Sequence, residues 1–190
     1  MIADVSGKGI AAAVMMAFVR AVMRSALDRT GDPIAALELT NRILVDERRT
    51  GLFVTILAGV VDLDTGIFEF ANAGHEPPLL AAPDGSAPRW IEGGGPLVGM
   101  FGRLDLTLQR VTIQPGERII LYTDGITDAA SPNGERFGDA RLLATIAKSC
   151  ISDGTAEDTR RAVIDSVLRF QGDAHPADDL ALLVFRRLPA

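Results

Sequence analysis

The sequence predicts an α+β fold in which antiparallel β-sheets are covered by helix pairs. Three observations favour it: a helix pair opens the chain, short strands joined by turns occupy the middle, and a second helix pair precedes a last strand. Turn-type connections between consecutive strands indicate antiparallel pairing, and such sheets bury a face under helices. The 190 residues suffice for a full hydrophobic core, so we predict a single domain over residues 1–190.

The first helix pair is predicted over residues 9–29 and from Pro33 onward. Apolar residues of the first helix fall on two adjacent stripes. One stripe is Ile10, Val14, Phe18 and Val22, and the other is Met15, Met16, Val19 and Met23. Such a wide apolar surface predicts a helix that lies between two layers. Asp32 directly before Pro33 is a strong start signal for the second helix.

The middle of the chain has the periodicity of β-strands. The predicted strands are 53–61, 67–71, 79–81, 89–91, 104–108 and 118–122, followed much later by 180–185. In segment 104–108, three leucines alternate with polar residues, which predicts a strand with one buried face. The alternation changes phase at Arg110, which indicates a bulge or a bend.

The second helix pair is predicted over residues 139–149 and from Thr155. Thr155 and Asp158 have the spacing of a capping box, which marks a helix start. Cys150 has no CxxC partner and no neighbouring His. We interpret Cys150 as a small buried or helix-end residue rather than a catalytic thiol.

Composition excludes several classes of function. The net charge is −6 without any Lys/Arg-rich run, which argues against a nucleic-acid partner. A single cysteine rules out an internal disulfide framework and favours a reducing compartment. The longest uncharged stretch near the start, residues 9–19, is short for a membrane span, and Asp4 before it is atypical of a signal peptide. We therefore expect a cytoplasmic protein without a membrane partner.

Acidic residues stand where buried apolar strands meet turns. These are Asp4, Asp124 and the pair Asp178-Asp179. Carboxylates from distant parts of a chain converge beside a core only when a cation holds them. Oxygen ligands without nearby His or Cys favour Mg²⁺ or Mn²⁺, and paired ions of this kind serve phosphate-ester hydrolysis. The alternative, that these aspartates merely form turns, stays open because Asp-Gly is a common turn dipeptide.

Four motifs occur in the order found in one family. They are Asp4-Val-Ser-Gly-Lys-Gly9, Asn72-Ala-Gly-His75, Thr123-Asp-Gly-Ile-Thr-Asp128 and Asp178-Asp-Leu-Ala-Leu-Leu-Val184. With them the chain resembles the PPM (protein phosphatase 2C-like) Ser/Thr phosphatases, most of all the bacterial SpoIIE/RsbU branch, over essentially its whole length. The resemblance implies two antiparallel β-sheets sandwiched between helix pairs (α-β-β-α), with a site for two Mn²⁺ or Mg²⁺ ions at one edge.

The resemblance also implies the ligands of these ions. Asp4 would bridge both metals, and the backbone carbonyl of Val5 would help to bind one of them. Asp124 and Asp178 would ligate the other metal. Asp4, Asp124 and Asp178 would thus act in catalysis through a metal-activated water.

Other motif residues are expected to support the site. Asp179 would lie behind the ligands or face the turn, and Lys8 would be solvated or attract phosphate. His75 is expected to form hydrogen bonds in its loop, and Asp128 to cap or brace its own loop. The family carries one more acidic ligand, in a Gly-Gly-Asp type motif before the Asp4 strand. The chain begins after that point, so we expect a domain that is truncated at its N-terminus.

The function implied is a metal-dependent phosphoprotein phosphatase that hydrolyses phosphoserine or phosphothreonine. Its implied substrate is a phosphorylated STAS-type anti-anti-sigma protein in a stress-response pathway of sigma-factor regulation. The alternative is a non-catalytic or weakly active phosphatase-fold module that binds a signalling partner. The choice between Mn²⁺ and Mg²⁺, and the formation of a homodimer, stay open.

Overall fold

A computed structural model describes residues 1–46, 51–151, 154–174 and 178–188. The chain divides into two compact units, each described by itself. Unit 1 consists of Met1–His75 and Gly93–Thr112, and unit 2 of Glu76–Glu92 and Ile113–Ala190. Each unit holds one four-stranded antiparallel sheet and one helix pair, which confirms the predicted α+β class.

The helices and strands follow one another in the predicted order. They are β1 (Ile2–Val5), α1 (Ile10–Thr30), α2 (Pro33–Asp46), β2 (Val54–Val61), β3 (Ile67–Ala73), β4 (Leu79–Ala81), β5 (Arg89–Trp90), β6 (Gln109–Thr112), β7 (Arg118–Tyr122), α3 (Gly138–Cys150), α4 (Ala156–Gln171) and β8 (Leu182–Arg186). The strand order is β1-β2-β3-β6 in unit 1 and β5-β4-β7-β8 in unit 2.

Each unit has its own hydrophobic core. In unit 1 the helices α1 and α2 pack on the sheet, and Met23, Leu37 and Ile56 are fully buried there. In unit 2 the core includes Tyr122 and Phe137 together with buried side chains of α3 and α4. Cys150 is a free, buried cysteine at the end of α3, as the sequence predicted.

The predicted helix starts are confirmed by side-chain hydrogen bonds. Asp32 Oδ1 accepts hydrogen bonds from the backbone N–H of Ile34 at 2.9 Å and of Ala35 at 3.1 Å. At the start of α4, Thr155 Oγ1 accepts from the Asp158 N–H at 3.1 Å. Asp158 Oδ2 accepts in return from the Thr155 N–H at 2.8 Å, so the capping box is complete.

The prediction that both stripes of α1 are buried between layers is wrong. In the methionine-side stripe, Val19 and Met23 are at 0% exposure and Met15 and Met16 are partly buried. Ile10, Val14 and Phe18 are 85%, 63% and 37% exposed. The reason is geometric: the three exposed side chains lie on the side of the helix away from the buried face, which packs on α2 and the sheet.

Helix α1 is also the one described helix that is long and apolar enough to cross a membrane. Only 17% of its most apolar window is buried. Length and composition are weak evidence for a span, because helices of soluble cores and signal sequences pass the same criterion. The predicted absence of a membrane partner therefore stays a prediction.

The predicted strand over residues 104–108 is also wrong, because β6 begins only at Gln109. Leu104 is buried as predicted, but Leu108 is 42% exposed. The glycine loop 93–95, which precedes this segment, lies between the segment and the end of β3. A Cβ at Gly95 would lie 3.3 Å from the Asn72 carbonyl oxygen at the end of β3 and 3.5 Å from that of Asp105. The loop thus takes the place of a further ladder between β3 and this segment.

Gly59 on β2 provides a test of sheet packing in unit 1. A Cβ at Gly59 would collide with the Phe68 ring and lie 2.7 Å from the Glu69 carbonyl oxygen on the neighbouring strand. We expect Gly59→Ala to destabilise the protein by about 1–3 kcal/mol through overpacking. Urea unfolding measures this, with Gly102→Ala, where a Cβ meets nothing within 4 Å, as the control. Equal stability of both variants would contradict the packing described.

The capping box provides a second test, in unit 2. Thr155→Ala should destabilise the protein by about 1 kcal/mol because the Asp158 N–H loses its acceptor, whereas Thr155→Ser should be close to wild type. Hydrogen bonds from the Thr155 backbone and hydroxyl lower the pKa of Asp158. The contribution of the ionised Asp158 carboxylate to the free energy of unfolding should therefore be lost as the pH falls through that lowered pKa. Thermal unfolding at neutral and acidic pH checks both statements, and a Thr155→Ala variant as stable as wild type would contradict them.

Candidate functional site

Asp4 lies inside strand β1 rather than after it, which corrects the predicted strand end. It is the third residue of β1 and faces Thr55 of β2 as its cross-strand partner. Beyond it, the Ser6 N–H donates to the Phe53 carbonyl at 2.9 Å, and Ser6 Oγ accepts from the Phe53 N–H at 2.9 Å. The backbone on the carboxyl side of Asp4 is therefore held on β2.

The carbonyl of Val5 is directed away from β2. Hydrogen-bonded and non-hydrogen-bonded pairs alternate along an antiparallel ladder. Ser6 and Phe53 form a hydrogen-bonded pair, so the adjacent pair Val5–Val54 is a non-hydrogen-bonded pair, in which the backbone N–H and carbonyl groups point away from the partner strand. In agreement, the N–H and carbonyl of Val54 both bond to Val98 at 2.9 Å. Strand β1 is an edge strand of its sheet, so the Val5 carbonyl points to the open side of that edge.

In unit 2, the structure places Asp124 and Asp178 at the same end of the paired strands β7 and β8. Tyr122, the last residue of β7, pairs with Leu182, the first residue of β8. Asp124 follows β7 closely and Asp178 precedes β8 closely, so antiparallel pairing puts both at the same strand ends. Both residues are exposed, which leaves their carboxylates in contact with solvent.

The side chain of Thr123 connects the two loops that carry these aspartates. Its hydroxyl donates to the Asp179 carbonyl at 3.1 Å and accepts from the Ala181 N–H at 3.0 Å. Gly125 lies so close to the Asp179 backbone that a Cβ there would collide with it. These contacts occupy the backbone just before β8, which is why that strand begins at Leu182 instead of the predicted residue 180.

Three supporting predictions can be compared with the structure. Asp128 braces its loop as expected, because its carboxylate accepts from Arg136 Nη1 at 2.9 Å and its N–H donates to the Asp124 carbonyl at 2.7 Å. His75 forms loop hydrogen bonds as expected, through its ring and its backbone. The Asp179 N–H donates to Asp178 Oδ1 at 2.9 Å. The role predicted for Lys8 stays a prediction.

Glu76 is an acidic residue near these aspartates that the sequence analysis did not single out. Partial burial raises the pKa of Glu76, and the negative charges of Asp124, Asp139 and Asp128 raise it further. The sequence signal was weak, because Glu76 stands in a loop before two prolines and not at a strand end. Next to it, burial raises the pKa of the Tyr122 phenol to about 12, so this group is neutral at physiological pH.

The donor atoms in these two places suit a hard divalent cation. Carboxylate oxygens and a strand-edge carbonyl are the ligand types that Mg²⁺ and Mn²⁺ prefer. Within the described ranges, no group of three or more His, Cys, Asp or Glu residues is placed to hold a metal ion. The predicted set draws Asp4 and Val5 from unit 1 and Asp124 and Asp178 from unit 2, and it stays a prediction.

Comparison with protein families identifies one match that spans both units. The family model of Stage II sporulation protein E (SpoIIE) matches residues 1–188. Among individual proteins, Phosphoserine phosphatase RsbU of Bacillus subtilis is 31% identical over 189 residues, which cover 98% of this chain and 54% of RsbU. Protein IcfG of Synechocystis is 34% identical over 173 residues, which cover 77% of this chain and 27% of IcfG. The chain thus spans about half of one relative and about a quarter of the other.

Solved structures share the fold. The SiaA-PP2C domain of Pseudomonas aeruginosa has a TM-score of 0.82 at 24% identity, covering 97% of this chain and 72% of that one. The RsbU and RsbW domains of Rv1364c from Mycobacterium tuberculosis give 0.77 at 26% identity, covering 98% and 50%. The phosphatase domain of SpoIIE from Bacillus subtilis, Mn presoaked, gives 0.57 at 16% identity, covering 96% and 77%.

The family match, the relatives and the shared fold agree with the resemblance that the four motifs indicated. The chain belongs to the SpoIIE family, within the SpoIIE/RsbU branch of the PPM-type, protein phosphatase 2C-like phosphatases.

Proposed function

We propose that this chain is a metal-dependent phosphoprotein phosphatase that hydrolyses phosphoserine or phosphothreonine. Family membership supports the proposal, as does the phosphoserine phosphatase activity in the name of RsbU. The observation that carries it is the placement of Asp124 and Asp178 at adjacent strand ends, both exposed and both backed by the Thr123 hydrogen bonds. Such carboxylates are available to bind a cation without prior rearrangement of their backbone.

The proposed ligands are the carboxylates of Asp4, Asp124 and Asp178 and the carbonyl of Val5, with two Mn²⁺ or Mg²⁺ ions. When bound, such ions activate a water molecule as nucleophile and neutralise the phosphoryl oxygens. The chain's own part is to hold the ligands still. Ser6 fixes the strand that carries Asp4, and Thr123 fixes the loops that carry Asp124 and Asp178. Membership of the PPM-type branch supports a divalent cation without choosing between the two.

The proposed substrate is a phosphorylated STAS-type anti-anti-sigma protein in the cytoplasm, as part of a stress-response pathway. Two similarities support this setting: RsbU is a relative over nearly the whole chain, and Rv1364c combines an RsbU domain with an RsbW domain. The net charge of −6 gives no attraction to nucleic acid, which is consistent with a protein substrate.

A second candidate function is a phosphatase-fold module that binds a signalling partner with little or no catalysis. It is favoured by the finding that the described part of the chain has no group of three or more metal-ligating side chains. The two candidates differ in a measurable property, because only the phosphatase requires Mn²⁺ or Mg²⁺ for its action.

Asp124→Asn tests the phosphatase. We expect phosphate release from a phosphoserine peptide in millimolar Mn²⁺ to fall by about 100-fold or more, since an amide is a poor substitute for a metal-binding carboxylate. Asp165→Asn, which changes an exposed aspartate on α4, should leave the rate unchanged. A wild-type rate that is equal in excess chelator, or no release by wild type at all, would contradict the proposed phosphatase; the second result would favour the binding module.

The substrate class is tested separately. Steady-state kinetics should show a kcat/KM at least about 10-fold higher for a phosphorylated STAS-type protein than for a peptide carrying the same phosphoserine sequence. The physical reason is that a folded substrate contacts the enzyme beyond the phosphate and positions the phosphoryl group. Equal kcat/KM values for protein and peptide would contradict recognition of a folded partner.

A further inference from the structure

Thr55 and His75 form a hydrogen-bonded pair beside Asp4. Asp4 and Thr55 are partners in the β1–β2 register. Residues directly opposite in an antiparallel pair project from the same face, with Cβ atoms about 4.5–5.5 Å apart. The Thr55 hydroxyl in turn lies 2.8 Å from Nδ1 of His75. One face of the unit 1 sheet therefore carries Asp4, Thr55 and His75 side by side.

The His75 end of this row is rigidly held. The His75 N–H donates to Asn72 Oδ1 at 2.8 Å, and Asn72 Nδ2 donates to the His75 carbonyl at 2.9 Å. Both His75 and Asn72 are buried, at 8% and 4% exposure. These bonds fix the backbone of His75. Its buried ring holds the Thr55 rotamer through the Nδ1 contact, because a different χ1 would break that bond.

The Asp4 end is held through the backbone. The bonds between Ser6 and Phe53 fix β1 on β2 just beyond Asp4. The rotamer of Asp4 is set by its side-chain contacts and not by these backbone bonds. Thr55 is the residue directly opposite on β2, close enough for its side chain to contact that of Asp4.

We propose that Thr55 and His75 are positioning residues for Asp4: His75 holds the Thr55 hydroxyl in place, and this polar side chain orients the Asp4 carboxylate for a divalent cation. The inference rests on the proposed metal-dependent phosphatase. Residues that orient metal ligands in this way typically contribute 10–100-fold to metal affinity or activity. Thr55→Val would keep the β-branched shape of the side chain but replace its hydroxyl with a methyl group.

Mn²⁺ binding measured by titration calorimetry on the full chain is the test, with no substrate present. We expect Thr55→Val to raise the Kd for Mn²⁺ by about 10-fold and Thr55→Ser, which keeps the hydroxyl, to stay within about 2-fold of wild type. Thr112→Val, at an exposed position on β6 of the same sheet, is the control and should not change the Kd. Thermal unfolding of each variant shows whether the fold is kept, and Thr55→Ala replaces Thr55→Val if the latter does not fold.

A double-mutant cycle distinguishes positioning from mere packing. His75→Phe should also raise the Kd for Mn²⁺. The double variant His75→Phe/Thr55→Val should bind Mn²⁺ no more weakly than Thr55→Val alone, because both changes remove the same proposed link from His75 through Thr55 to Asp4. A Kd for Thr55→Val equal to wild type, an equally large loss in Thr55→Ser, or additive effects in the cycle would overturn the inference.

Asp4→Asn, measured in parallel, separates this inference from the proposed function. Wild type that binds no Mn²⁺ at millimolar concentration would remove the proposed function, and the positioning role with it. Wild type that binds Mn²⁺, with binding lost in Asp4→Asn but unchanged in Thr55→Val, would remove only the positioning role.

Discussion

Antiparallel pairing within each sheet decides which strand ends lie side by side, and the proposed chemistry depends on that constraint. In unit 2 the register that pairs Tyr122 with Leu182 brings the end of β7 beside the start of β8. Asp124 and Asp178 are 54 residues apart in sequence but lie at the same end of the β7–β8 pair because of that register. In unit 1 the pairing of Asp4 with Thr55 likewise sets the neighbours of Asp4. Without these ladders the carboxylates would be ordinary solvated side chains.

Small polar side chains hold the strand ends in place. Ser6 and Thr123 act alike in the two units, since each hydroxyl bonds to backbone groups of the adjacent chain segment. Asn72 does the same for the His75 loop through its amide group. A hydrogen bond of this kind contributes only about 1 kcal/mol to stability. Here these bonds tie the backbone next to the candidate ligands to the neighbouring chain segment.

Strong local signals made much of the fold predictable. The bounds of β4 and β7 agree with the predicted ones because both runs are buried and, apart from Arg118, consist of apolar or aromatic residues. The caps at Asp32 and Thr155 agree because capping needs only neighbouring residues. The segment 104–108 was mispredicted, since alternation does not reveal that a distant glycine loop takes the place of its ladder. The outer stripe of α1 was mispredicted because apolar composition does not show which side of a helix is covered.

The candidate site was predictable to a different degree. Asp4, Asp124 and Asp178 stand in recognisable motifs, whereas the pairing of β7 with β8 that brings the Asp124 and Asp178 segments together was not predicted from the sequence. Thr55 carried no sequence signal, because it is one residue of an apolar strand and its role depends on the β1–β2 register and on His75. Glu76 was missed for the same reason, since its neighbours are set by the tertiary fold.

The proposed site requires that Asp4 within β1 and the aspartates beside β7 and β8 bind divalent ions together. The most direct measurement is the anomalous scattering of crystals soaked in Mn²⁺. We expect two anomalous peaks, with carboxylate oxygens of Asp4, Asp124 and Asp178 about 2.0–2.3 Å from them. Crystals without Mn²⁺ at these carboxylates, or with Mn²⁺ bound only elsewhere on the chain, would show that the proposed site is wrong.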